Sequence, residues 1–209
     1  HTLVTTSDGT IYSFGLGKGG RLGTGDEHHQ PLPVPIGLSV PCNRIGGTGG
    51  GIGKGPLFRK KVISCVASTN HSLCVTNDGN VYAWGSNRFG QLGISSGSSS
   101  KNNSTQNKAH CSPRRIDLLR NVHAVSVAAG DGHSIVLSKY GEVYAFGDNR
   151  AGQLGRKTSS SNIVTCDSTP SRVDALWGFS NSASIMSVGK SGGGRKDTRI
   201  IATAVAASE

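Results

Sequence analysis

The chain has 209 residues, 34% of them hydrophobic and 31 of them glycine, and its 22 basic against 12 acidic residues give a formal net charge of +10. That length supports a sizeable core in one domain, but no apolar run approaches the roughly 18 residues a membrane-crossing helix needs, and the start, HTLVTTSDG, lacks the layout of a secretory signal. The basic excess favours acidic partners, and its scatter through the loops fits no single membrane-binding run.

In chain order, the first 23 residues, HTLVTTSDGTIYSFGLGKGGRLG, return at 71–93 as HSLCVTNDGNVYAWGSNRFGQLG and at 133–155 as HSIVLSKYGEVYAFGDNRAGQLG, with no gap inside the unit. A long unit repeated this cleanly predicts a modular, stacked fold in which glycine is structural. Inside the unit the apolar period is 2. In the second copy 72–76 reads as a short strand, Asp78-Gly79 as a turn and 81–85 as the returning strand, a hairpin signal. Gly9 and Gly141 stand at the turn position of the other copies. A further β-rich stretch precedes each later histidine, at 62–67 and 122–129. After each Leu-Gly and its loop comes a proline leading into an apolar residue, at 33–36, 113–116 and 170–173, which reads as an edge strand.

These elements predict an all-β fold: a partial β-propeller of about three four-stranded antiparallel blades plus a degenerate fourth. The units run at about 1–61, 62–121, 122–184 and 185–209, within a single repeat domain over 1–209. In the fourth unit a Gly/Lys/Arg insertion at 189–199 replaces the turn and the histidine. The polar, serine-rich stretch at 94–112 is expected to be a disordered loop. The only methionine is Met186 and the chain starts inside a repeat, so a piece of a longer protein is expected.

Most candidate motifs belong to the repeat. Residues 15–20 fit GxGxxG, but no helix is expected after them, and the aligned glycines include Gly85 and Gly147. The stretches around 49–55 and 184–191 imitate a phosphate loop but lack its first glycine, and the former lacks the metal-holding hydroxyl too. Both read as flexible loop insertions, with Lys54, Arg59, Lys60 and Lys61 as candidate anion contacts. A catalytic histidine needs a partner of its own, so one recurring as His1, His71 and His133 reads as a hydrogen-bonding element. Asn87 and Asn149, with Gln91 and Gln153, read as amides that satisfy turn backbone. The first copy has Gly17 and Arg21 there, so its turn should differ. Trp84, Phe14 and Phe146 share one position and should be core. The five cysteines are odd in number and include no CxxC, which argues against a disulfide framework or zinc site and for the cytoplasm or nucleus. The glycosylation triplets at Asn70, Asn102 and Asn103 point weakly the other way.

The pattern V..VA.G..HS..L...G.VY.WG.N..GQLG, carried by 62–93 and 125–155, resembles the regulator of chromosome condensation repeat family. The resemblance implies a seven-bladed propeller, of which this chain carries too few units to close the ring. The first copy's variant turn, FGLGKGGRLGTGDE, together with WGSNRFGQLG and a unit without histidine, looks like the inhibitor of Bruton tyrosine kinase type. There such repeats lie between ankyrin repeats and BTB domains.

The expected function is a non-enzymatic protein-interaction scaffold with no cofactor. The resemblance implies docking to a tyrosine kinase or substrate capture for a cullin-based ubiquitin ligase. The alternative it implies is guanine-nucleotide exchange on a Ran-like small GTPase with chromatin association. Direct nucleic-acid binding is weaker, because the basic residues lack interleaved aromatics or a groove-reading helix. Arg59, Lys60, Lys61, Arg114 and Arg115 are the candidate partner-binding residues.

Overall fold

The computed structural model describes residues 1–41, 52–94, 108–156 and 165–174, and residue 207. The fourth unit, apart from residue 207, and residues 95–107 of the serine-rich loop lie outside the described residues.

The strands are β1 (Thr2–Thr5), β2 (Ile11–Gly15), β3 (Gln30–Pro35), β4 (Ser39–Pro41), β5 (Ile52–Lys54), β6 (Val62–Ala67), β7 (His71–Thr76), β8 (Val81–Gly85), β9 (His110–Arg115), β10 (Ala124–Ala129), β11 (His133–Ser138), β12 (Val143–Asp148) and β13 (Cys166–Arg172). They form sheets ordered β1-β2-β3, β4-β5, β6-β7-β8-β9 and β10-β11-β12-β13, every pair antiparallel. This is the all-β partial propeller expected, with two corrections. Among the described residues the first sheet has three strands, not four. Its Val4 is 44% exposed where the aligned Cys74 and Val136 are fully buried. The two-stranded sheet β4-β5 was not anticipated, and it places Lys54 in a strand rather than a flexible loop.

The central hairpin of each sheet follows from local chemistry. Val81–Gly85 pairs back on His71–Thr76 in a register fixed by Leu73 opposite Ala83. The turn between them needs a left-handed residue, and Gly79 sits at φ 78°. The Thr76 hydroxyl donates to Asp78 Oδ1 and also faces the Asn80 carbonyl at 3.2 Å, which closes the turn from inside. The outer strands begin before the prolines that marked them: β9 starts at His110, so the loop expected over 94–112 stops short of it. A register shift opposite the Ala83-Trp84-Gly85 corner absorbs the extra residues of β9, and the same shift recurs in the third sheet.

The core lies between neighbouring sheets. Cys74, Tyr82 and Trp84 of the second sheet pack with Ile11 and Ile36 of the first. Leu73, Val75 and Ala83 pack with Val127, Val136 and Phe146 of the third. The two middle strands of the second sheet are therefore apolar on both faces, and β7 and β8 are buried at every residue.

Candidate functional site: the sheet-to-sheet contacts and the basic rim

The recurring polar residues form one contact set, written at successive sheet interfaces. His1 Nε2 lies 2.6 Å from Ser72 Oγ, and His71 Nε2 lies 2.9 Å from Ser134 Oγ. Ser72 Oγ donates to the Arg21 carbonyl at 2.9 Å, and Ser134 Oγ to the Gln91 carbonyl at 2.7 Å. Trp84 Nε1 also donates to the Arg21 carbonyl, at 2.9 Å. The Leu-Gly glycines lie against the next sheet's aromatic: a Cβ on Gly23 would stand 2.8 Å from Trp84, and one on Gly93 2.8 Å from Phe146. At the opposite end, Val62 N donates to the Gly9 carbonyl and Ala124 N to the Gly79 carbonyl.

The amides close their own turns. Asn87 Oδ1 accepts from Leu92 N and Asn149 Oδ1 from Leu154 N, both at 3.1 Å. Gln91 Oε1 accepts from Phe89 N and Gln153 Oε1 from Ala151 N, both at 2.9 Å. The first copy is built differently. Gly17 N donates to His29 Nδ1, and no side chain fits at Gly17, because a Cβ would stand 2.0 Å from the His28 carbonyl oxygen. The Arg21 guanidinium donates to Lys18 O, Thr69 O and Asn70 Oδ1, so it ties the first turn to the second sheet.

Burial in an apolar site disfavours the charged imidazole, and the nearby His133 adds to that, so the His71 pKa falls to about 3. Burial lowers His133 and His110 as well. His71 is thus a neutral wedge between the second and third sheets.

The five candidate partner-binding residues do not form one patch of unpaired cations. Lys60 Nζ donates to Asp78 Oδ2 at 2.6 Å, and this hydrogen bond raises its pKa. Burial works against the ionised Asp78, but hydrogen bonds from Lys60, Thr76 and Asn80 outweigh it and hold the carboxyl low. Arg115 Nε donates to Asp117 Oδ1 at 2.8 Å. Tyr82, opposite Arg115 in the sheet, is close enough to both Lys60 and Arg115 to feel their charge. Lys61 is exposed, but its backbone is wedged against Gly9. Arg59 and Arg114 are exposed, Arg59 in a left-handed conformation at φ 59° with its guanidinium 5.4 Å from the Phe58 ring centroid.

Two features escaped the sequence reading. The serine after each later histidine is the cross-sheet partner of the preceding unit's histidine, Ser72 for His1 and Ser134 for His71, and the His-Ser pairs at 71–72 and 133–134 were the available signal. Arg115-Ile116-Asp117 recurs as Arg172-Val173-Asp174, where Arg172 Nε donates to Asp174 Oδ1 at 2.8 Å. A groove of about 310 Å³ also opens between the first and second sheets, lined by residues that include Val34, Ile36, Pro56 and Pro113.

Radial sheets joined by one contact set define a repeat propeller segment. The regulator of chromosome condensation (RCC1) repeat matches residues 8–75, 78–137 and 140–190, and a second description of the same repeat matches 62–91 and 124–153. The chain belongs to this family. Each matched repeat is offset from the sheets by two strands: 78–137 supplies β8 and β9 of one sheet, then β10 and most of β11 of the next. Among relatives, human E3 ubiquitin-protein ligase HERC2 is 32% identical over 84% of this chain and human probable E3 ubiquitin-protein ligase HERC6 is 30% identical over 84%. The chain spans only 3% and 14% of their lengths. Similar folds are human WBSCR16, with a TM-score of 0.61 at 23% identity, covering 84% of this chain and 36% of that one, and Saccharomyces cerevisiae Prp20p, with a TM-score of 0.59 at 21% identity, covering 82% and 35%. The Prp20p structure was described with its binding to Gsp1p and histones. No helix of the described residues is long and apolar enough to cross a membrane.

Proposed function

We propose that the chain is a non-catalytic docking scaffold for a protein partner, working in the cytoplasm or nucleus as part of a larger protein. The observation that carries this reading is the use of the repeat's polar groups. His71, Ser72, Ser134 and Trp84 hold sheet against sheet, and Asn87, Asn149, Gln91 and Gln153 hold their own turns. The side chains that vary between units lie on the connections and outer strands, where a rigid β scaffold presents binding groups. The likeness to HERC2 and HERC6 favours substrate or partner capture for a ubiquitin ligase over kinase docking. The decisive experiment is capture by the full-length parent protein, with and without residues 1–174, of substrates that accumulate when the parent is removed. Loss of capture on deletion supports the reading, and unchanged capture ends it.

Guanine-nucleotide exchange on a small GTPase is the second reading, favoured by the fold shared with Prp20p and its Gsp1p binding. Acceleration of labelled-nucleotide release from a Ran-like GTPase would replace the scaffold reading with this one.

A further inference from the structure

Cys65 and Cys74 are paired across β6 and β7, directly opposite one another. The turn fixes which kind of pair they form. Ser68 N donates to the His71 carbonyl, which makes 68 and 71 a pair of the hydrogen-bonded kind. Pair type alternates along an antiparallel ladder. With 67 opposite 72 and 66 opposite 73 in register, the 65–74 pair falls on a non-hydrogen-bonded site. There the Cα atoms approach to about 4.5 Å and both side chains project from the same face, within the range a disulfide spans. In the third sheet the same two positions hold Val127 and Val136. Cysteine is thus confined to one of two otherwise matching strand pairs. Cys74 is buried and Cys65 half-buried, with the Thr5 hydroxyl donating to its sulfur at 3.3 Å.

We infer that Cys65 and Cys74 form a reversible cross-strand disulfide, a modification site whose reagent is a low-molecular-weight disulfide such as oxidised glutathione. The half-buried Cys65 reacts first. Its thiolate attacks one sulfur of the reagent, breaks that S–S bond and releases one glutathione thiolate. The Cys74 sulfur then attacks Cys65 Sγ and expels the second glutathione, and the proton from Cys74 passes to the departing thiolate. Two protein thiols are oxidised and one reagent disulfide is reduced to two thiols. The bond clamps the first two strands of the second sheet, whose face here meets the first sheet through Leu3 and Ile11.

The test uses a variant in which Cys42, Cys111 and Cys166 are all replaced by serine, incubated with oxidised glutathione and read by intact mass and maleimide labelling after unfolding. The expected product is a monomer lighter by two hydrogens with no labelled thiol and a raised Tm. A Cys65→Val/Cys74→Val variant, carrying the third sheet's residues, should show no Tm change on oxidation. A stable glutathione adduct with Cys74 still labelled, two labelled thiols, or a disulfide-linked dimer would each overturn the inference. Should the serine variant fail to fold, peptide mapping of the oxidised wild-type chain for a 65–74 linkage decides the matter in the same way.

Discussion

His71 Nε2 donates to Ser134 Oγ across the interface between the second and third sheets, at 2.9 Å. The direction follows from counting protons. The serine hydroxyl has one, and it goes to the Gln91 carbonyl at 2.7 Å. The imidazole must therefore carry its proton on Nε2, which leaves Nδ1 as the acceptor, and that atom is buried without a partner among the described residues.

Ser134→Ala leaves the His71 N–H and the Gln91 carbonyl unpaired in a buried site, and should cost about 1–3 kcal/mol. Ser72→Ala removes the matching bonds one interface earlier, but Trp84 Nε1 still donates to the Arg21 carbonyl. The loss there should be smaller. Urea unfolding of the two variants orders them, and equal losses would refute the distinction.

Stability should fall with acid over a window set by His71. The folded-state pKa is depressed to about 3, while an unfolded histidine titrates near 6.5. Above the unfolded value both states are neutral and the contribution is intact. As pH falls below it, the unfolded chain binds a proton that the folded chain refuses, and stability drops by up to about 1.4 kcal/mol per pH unit. His133 and His110 are shifted in the same direction and steepen the slope. Between about pH 5.5 and 6.5 the depressed Asp8, Asp26, Asp78 and Asp148 stay ionised in both states, so that interval isolates the histidines. His71→Gln should flatten the dependence of denaturation midpoint on pH there; an unchanged slope counts against a buried neutral imidazole.

Trp84→Phe should be mild and Trp84→Ala severe. The position holds Phe146 in the third unit, and the Arg21 carbonyl keeps its bond from Ser72 after the indole N–H is lost. Alanine instead opens a cavity against Ile11 and Cys74, at a cost of about 3–5 kcal/mol. Thermal unfolding with calorimetry separates the two, and a Phe variant as unstable as the Ala variant would mean the N–H bond dominates.

The sheets were legible because strand, Gly79 turn and strand recur at fixed spacing, and the aromatic at 84 and 146 marks the buried face each time. The outer strands begin a few residues before the proline that marks them in the sequence. It falls mid-strand, at Pro113 within His110–Arg115, and the register shift lets the longer strand fit. β4-β5 had no repeat to reveal it. The histidine role depends on a serine in a neighbouring sheet, and one copy of the repeat carries no information about its neighbour's geometry. Charge was the least legible feature. Lys60 and Arg115 look free in the sequence, yet each meets a carboxylate, Asp78 or Asp117, that only the fold brings near or orients.

That pairing yields a test of which cations face a partner. Removing Lys60 together with Asp78, or Arg115 together with Asp117, deletes a neutral pair and leaves net charge unchanged. Each pair is partly solvated and worth about 0–1 kcal/mol, so neither double variant should unfold. Arg59→Ala and Arg114→Ala each delete an exposed positive charge instead. On an immobilised polyglutamate surface the two single variants should elute at lower salt than the parent chain, and the two double variants with it, since attraction to a polyanion is screened in proportion to the unpaired charge presented. Earlier elution of the double variants alone would move the docking surface to the Tyr82 cluster.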